Sequence, residues 1–365
     1  MRILFSFVGG NGHFQPLAPI ARAALDAGHT VAVTGSAALV PVISAAGFTA
    51  FPSGPNTIAS TERRPMLPVD REQDDRDLRD GFAGRVATLR AADILELCVE
   101  WRPDLIVCDE VDFGAMVVAG HLGLPHATVR VTFAGEFVRP SVVAEPLHEL
   151  RAQYGLPADP SLAMLDGDLA LAPFPSDSSA FSFHPREDPP PPPITVPDDV
   201  PTVYFTLGTI FNTESGDLFT RVLSGLRELP VHLVVTTGSQ IDPAEFGPQP
   251  PHVRIERYLP QSTVLPRCSV VVSHGGSGTV VGALAHGVPL VLLPMGGDQL
   301  DNAVRCVELG VGVELDAMHV TPSEIRDAVA RVLAESGYRD AALAVAATFT
   351  ALPDQKAVVA LLEQL

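Results

Sequence analysis

"SHGGSGTVVGALAHGVPLVLLPMGGDQLDNA", Ser273 to Ala303, is the stretch on which the fold turns. The apolar run Ser269–Ser273 leads into it and reads as a buried strand. A glycine-rich turn follows, then a helix, then a second apolar strand at Leu290–Leu293. Strand, turn, helix and strand in this order make a parallel βαβ unit. The glycines let the backbone approach a ligand closely. A helix starting near Thr279 would present unpaired N–H groups and its positive dipole end, which suits an anion. His274 adds a side-chain donor. A tight turn with no ligand would use the same glycines. Asp298 and Gln299 close the stretch with groups that accept from and donate to hydroxyls, although an aspartate there would equally serve as a helix N-cap.

The same alternation runs outward through the chain. Arg2–Val8 reads as the first strand, and Pro16–Ala27 as a helix with a proline in its first turn and Gly28 at its end. Strands follow at Thr30–Thr34, Leu105–Cys108 and Pro125–Val131, with a helix over Gly114–Leu122. Ser53–Gly81 is polar and reads as a long, mobile excursion of the kind that lines binding sites. Phe183–Pro201 contains five consecutive prolines, a semi-rigid spacer. After it the pattern restarts with strands at Thr202–Thr206, Val231–Thr236, Arg254–Glu256, Ser269–Ser273, Leu290–Leu293 and Gly312–Leu315. The expectation is α/β: two doubly wound Rossmann-like domains facing across a cleft, with ligands at the C-terminal strand ends.

Composition removes several classes. At 365 residues and 46% hydrophobic, the chain can bury two cores. A net charge of −19 argues against nucleic acid, which needs clustered Lys and Arg. No run approaches the ~20 apolar residues of a membrane span, and the N-terminus reads as a strand rather than a signal peptide. A cytoplasmic protein is expected. Cys98, Cys108, Cys268 and Cys306 are scattered and read as core residues rather than disulfides or metal ligands. Lys356 is the single lysine. It sits ten residues from the C-terminus, which removes a P-loop and leaves a pyridoxal Schiff base badly served.

Four short motifs then fall in order: Tyr258-Leu259-Pro260, His274 to Thr279, Gly287-Val288-Pro289, and Asp298 to Ala303. This segment, Val253 to Ala303, resembles the nucleotide-sugar-binding box of GT-B glycosyltransferases that act on natural products. The bacterial branch, which makes glycosylated antibiotics, fits best. "GHFQPLAPIARAALDAGHTV" (Gly12–Val31) and "TLGT" (Thr206–Thr209) extend the resemblance more loosely over the chain. It implies an N-terminal acceptor domain over 1–185, a linker over 186–201, and a donor domain over 202–350. A last helix over 351–365 would pack back on the N-terminal domain. It also implies that Tyr258 and Leu259 meet the nucleobase. Thr209, His274, Gly276, Ser277, Gly278 and Thr279 would hold the diphosphate, and Asp298 and Gln299 the sugar. No metal or cofactor is implied, only a nucleotide-sugar co-substrate and a small apolar acceptor, and a homodimer remains open.

UDP-sugar users in the family carry a glutamate three residues after the threonine, where it binds the ribose hydroxyls. Here that place is Gly282, which favours a dTDP-sugar, although Gly282 would also allow close helix packing. His13 follows the glycine turn after the first strand. A histidine in such a turn is commonly a structural hydrogen-bonder. In this family setting it becomes the general base, oriented by Asp109, which ends the strand Leu105–Cys108 at the position that supplies this aspartate in the family, with Asp112 a weaker candidate. Phe14, Phe113, Phe133 and Phe137 either line an acceptor pocket or fill the core. Asp166-Gly167-Asp168 and Asp75-Arg76-Asp77 match a metal-binding Asp-x-Asp in letters only and read as solvated loops. The function expected is transfer of a sugar, with inversion, to a hydroxyl of a polyketide- or macrolide-like acceptor. A UDP-sugar-dependent transferase, a nucleotide-sugar epimerase and a non-catalytic auxiliary protein are the alternatives.

Overall fold

Valine, isoleucine and leucine fill both faces of the central strands, because helices cover both sides of each sheet. The computed structural model describes residues 1–55, 62–135, 137–176, 178–186, 190–197, 199–209 and 211–365. The N-terminal sheet contains β1 (Arg2–Ser6), β2 (Thr30–Gly35), β3 (Thr49–Pro52), β4 (Leu105–Asp109), β5 (His126–Val129), β6 (Leu169–Ala172) and β7 (Phe181–Ser182), in the order β3-β2-β1-β4-β5-β6-β7. The C-terminal sheet contains β8 (Thr202–Thr206), β9 (His232–Thr236), β10 (Val253–Glu256), β11 (Val270–Ser273), β12 (Leu290–Leu292) and β13 (Gly312–Glu314), in the order β10-β9-β8-β11-β12-β13. Every pairing is parallel. Strand order reverses between β1 and β4 and between β8 and β11, which opens a crevice at each C-terminal edge. The four cysteines are free and buried.

Three sequence expectations change. The first helix runs Asn11–Asp26, starting five residues before Pro16. Gly10 is extended and acts as its N-cap, while Pro16 lies inside and forfeits one backbone bond. His13 therefore sits in the first helical turn rather than in a loop. The excursion after Ser53 is ordered by contacts over its described part. It is helical over Arg71–Arg76, with a wide turn over Asp77–Val86. It is also pinned to the C-terminal half: the Arg64 N–H donates to Thr213 O (2.8 Å), and Arg71 donates to both carboxylate oxygens of Asp301 (3.1 and 2.8 Å). Residues 56–61 of that excursion lie outside the described residues. The proline-rich spacer does not stand free either. Ile194 N–H donates to Thr263 O at 2.8 Å, and Ile194 and Val196 pack on the C-terminal core.

The last helix, Gln355–Leu362, buries Val358, Val359 and Leu362 among Ile3 and Phe5 of the first sheet and Ile20 of the first helix. Glu363 reaches His29 Nε2 at 2.9 Å. Among the described residues no single helix is long and apolar enough to cross a membrane.

Because Leu362 is fully buried at this junction, Leu362→Ala should destabilise the fold by about 2–4 kcal/mol. Denaturant unfolding followed by circular dichroism checks this. A loss under about 0.5 kcal/mol would mean that the helix does not hold the N-terminal sheet.

Candidate functional site

β4 ends in a carboxylate that the fold buries completely. Asp109 Oδ2 accepts from Val8 N–H (3.1 Å) and lies 2.9 Å from His13 Nδ1, while Oδ1 accepts from Val111 N–H (3.0 Å). An ionised acid can be buried there because each oxygen has a donor. The His13 ring is 23% exposed. With Nδ1 held by Asp109, its Nε2 edge is left to act. Gly9, at φ +94°, lies against the ring, and a Cβ there would fall 3.0 Å from Cδ2 and 3.2 Å from Nε2. Burial lowers the His13 pKa, but the Asp109 hydrogen bond and charge oppose it, helped by the charges of Asp298 and Glu110. The net shift is upward from 6.5.

Asp112 is engaged elsewhere. Its Oδ1 and Oδ2 accept from buried Arg90 at 2.9 and 2.6 Å, and Ser6 Oγ donates to Oδ2 at 2.6 Å. The acid that holds His13 is therefore Asp109, and Asp112 ties the ends of β1 and β4 to Arg90.

Across the cleft, the helix Ser277–Ala285 begins at Gly276 with no side-chain cap, and its Thr279 N–H donates back to Gly276 O at 3.0 Å. It comes against the helix that carries His13. His274 is buried, and its Nδ1 has no hydrogen-bond partner in the protein. Burial pushes its pKa down to about 4, against weaker pulls from Asp298 and the Thr206 carbonyl. It is a neutral imidazole at neutral pH, able to donate one N–H. Gly276 makes room for it, since a Cβ there would lie 2.5 Å from Nε2. Gly278 and Thr209 are exposed at the same edge, while Thr279 is buried and accepts from Gln261 Nε2 at 2.9 Å.

Asp298 Oδ2 accepts from Ser277 Oγ (2.7 Å) and Asn302 Nδ2 (2.8 Å). Its charge acts on both His13 and His274, so it stands between the two halves of the site. Gln299 is buried, with Oε1 accepting from Met295 N–H at 2.9 Å. Tyr258 is 65% exposed, a large aromatic face open to a planar ring. Leu259 packs on the C-terminal core.

Of the four phenylalanines, Phe14 (2% exposed) and Phe113 (0%) are core side chains, where no acceptor reaches them. Phe133 packs edge-on against Phe174, and Phe137 edge-on against Phe82, both partly buried. Asp166 pairs with Arg130, and Asp168 accepts from His126 N–H, so both are engaged in holding loops. No group of three or more metal-ligating side chains occurs among the described residues. Two residues at the site escaped the sequence reading. Asn302 lay in view inside the quoted stretch, and Glu110 directly follows Asp109. Neither announced a role because both act through buried hydrogen bonds.

The family description "Erythromycin biosynthesis protein CIII-like, C-terminal domain" matches residues 220–365. The chain is 29% identical to 3-alpha-mycarosylerythronolide B desosaminyl transferase of Saccharopolyspora erythraea, over all of this chain and 98% of that one. It is 28% identical to aklavinone 7-beta-L-rhodosaminyltransferase of Streptomyces galilaeus, over all of this chain and 96% of the relative. In structure it matches spinosyn rhamnosyltransferase SpnG complexed with thymidine diphosphate, at a TM-score of 0.81 and 23% identity over the full length of both. It also matches glycosyltransferase VinC in complex with dTDP, at 0.76 and 24%, over 100% of this chain and 99% of that one. The fold is GT-B, and the resemblance to antibiotic glycosyltransferases read from the sequence holds.

A base that must be neutral should give activity that rises with pH through the raised pKa of His13. Asp109→Asn removes the charge that raises it and leaves only a neutral amide to bond Nδ1, so the acid limb of kcat/KM should move to lower pH. The plateau should fall by about 10³–10⁴-fold. A limb that stays where it is in the variant would show that another group titrates.

Proposed function

We propose that the chain is an inverting glycosyltransferase that moves a deoxysugar from a dTDP-sugar to a hydroxyl of an apolar polyketide- or macrolide-like acceptor, in the cytoplasm. The observation that carries this is the His13–Asp109 pair, set across a cleft from an uncapped helix N-terminus, with Asp298 acting on both sides. His13 Nε2 takes the acceptor proton as the acceptor oxygen bonds to the anomeric carbon. The bond from that carbon to the diphosphate breaks on the opposite face. Asp109 holds the proton on Nδ1 and stabilises the imidazolium. The leaving diphosphate gains negative charge as it departs. The first-turn N–H groups of helix Ser277–Ala285 and the neutral His274 meet that charge. The sugar hydroxyls fall to Asp298 and Gln299, and the base to Tyr258 and the Leu259 backbone. The names of the relatives, which transfer amino- and deoxysugars to antibiotic aglycones, support the substrate class.

His13→Ala should leave dTDP affinity within a few-fold and lower turnover by about 10²–10⁴-fold, the worth of a general base. Turnover within fivefold of wild type would remove His13 from this role.

Donor choice has its own test. A side chain at Gly282 would bring its Cβ 2.9 Å from Leu265 Cδ1 and 3.4 Å from Gln261 Oε1. Only the flexible end of Leu265 must move, so Gly282→Glu should be accommodated and offer a carboxylate to a ribose 2′-hydroxyl. Calorimetry should find dTDP tighter than UDP for the wild type, with the ratio reduced in the variant. Tighter UDP binding by the wild type would overturn the donor assignment.

A further inference from the structure

Glu110 is buried directly after Asp109 and does not face the cleft as a free acid. Its Oε1 accepts from Val131 N–H, Thr132 N–H and Thr132 Oγ, each at 2.7 Å. Its Oε2 has no hydrogen-bond partner, and Arg130 Nη1 stands 3.6 Å away. One carboxylate oxygen thus gathers the start of the loop that follows β5. The next two N–H groups of that loop cross to the other half of the molecule. Phe133 N–H donates to Ser277 Oγ at 2.7 Å, and Ala134 N–H to Asn302 Oδ1 at 3.0 Å. Asn302 is fully buried and passes the contact on. Its Nδ2 donates to Gly275 O (2.9 Å), Ser277 Oγ (2.9 Å) and Asp298 Oδ2 (2.8 Å).

We infer that Glu110 is a positioning residue: through the Val131–Ala134 loop and Asn302 it fixes the glycine turn and Asp298 in register with the His13–Asp109 pair. The inference rests on the glycosyl-transfer reading above for its effect on turnover, but not for the coupling itself. Adjacent residues of one strand end hold the two reacting sides. Asp109 holds the base, and Glu110 holds the loop that docks on the donor turn. A charged acceptor suits this task, because three short bonds to one ionised oxygen are stronger than bonds to a neutral one. Glu110 touches neither reacting group, so its loss should disturb alignment more than donor affinity. Misplacement by about 1 Å can cost around 10²-fold in rate.

The test joins hydrogen exchange, calorimetry and turnover in the full-length protein. In Glu110→Ala, amide exchange should quicken in the 274–279 turn, which Glu110 does not touch, as well as at 131–134. Turnover should fall about 10²-fold, with the dTDP dissociation constant within about fivefold. Glu110→Gln, which keeps an acceptor oxygen, should recover most of the loss. Asn302→Ala should resemble Glu110→Ala, and the double variant should be no worse than the poorer single one to within threefold, because both cut one chain of contacts. If Glu110→Ala does not fold, Ala134→Pro removes a single N–H of the chain and should give the same exchange pattern. Faster exchange confined to 131–132, turnover within threefold of wild type, or losses that multiply in the double variant would each overturn the inference. A wild type that shows the exchange coupling but transfers no sugar would instead sink the glycosyl-transfer reading and leave the coupling standing.

Discussion

Three acids placed at the end of one buried strand organise the N-terminal half. Burying a carboxylate is costly unless each oxygen finds donors or a cation. Asp109, Glu110 and Asp112 meet that demand in three directions. Asp109 draws in the Val8 and Val111 N–H groups and His13. Glu110 draws in the loop after β5. Asp112 draws in Arg90, which also donates to Ser53 O at the start of the excursion. The first strand, the first helix, the excursion and the cleft loop are all tied to this point, so the site geometry follows from satisfying these charges.

The two histidines of the site show how one residue type is set to opposite tasks. His13 has a buried carboxylate on Nδ1, which together with the charges of Asp298 and Glu110 outweighs the effect of its own burial. His274 has no such partner, and burial dominates, so it stays neutral far below physiological pH. In the proposed reaction one accepts a proton, and the other donates a hydrogen bond without charge changes of its own. Asp298 acts on both rings, which makes the cleft a single electrostatic unit.

Much of this was legible in the sequence because it rests on local pattern. β8 and β11 are apolar runs ended by Thr206 and Ser273, each followed by a glycine turn, and both emerge near the expected bounds. The resemblance marked His13, just after β1, and Asp109, at the end of β4; strand order sets β4 beside β1, and the two side chains lie 2.9 Å apart. What stayed hidden depends on contacts distant in sequence. The excursion looked loose because the contacts that pin it to the other half are distant in sequence: Arg71 finds Asp301 230 positions away. Phe14 and Phe113 could not be assigned to pocket or core from hydrophobicity alone, since both places favour the same side chain. Pro16 placed the helix start too late, because a proline marks a first turn only when nothing upstream is already helical.

The ends of the chain meet through one imidazole. The terminal amine of Met1 lies 3.3 Å from His29 Nδ1, and Glu363 lies 2.9 Å from His29 Nε2. Topologically the protein is therefore close to a ring that crosses between its halves twice, once by the proline-rich segment and once on the way to the final helix. Such a ring can in principle be opened elsewhere without changing its neighbours in space. A chain that joined the present ends and began at the proline-rich segment would place the donor-binding half first in translation order. The same cleft would then form from the opposite direction of synthesis.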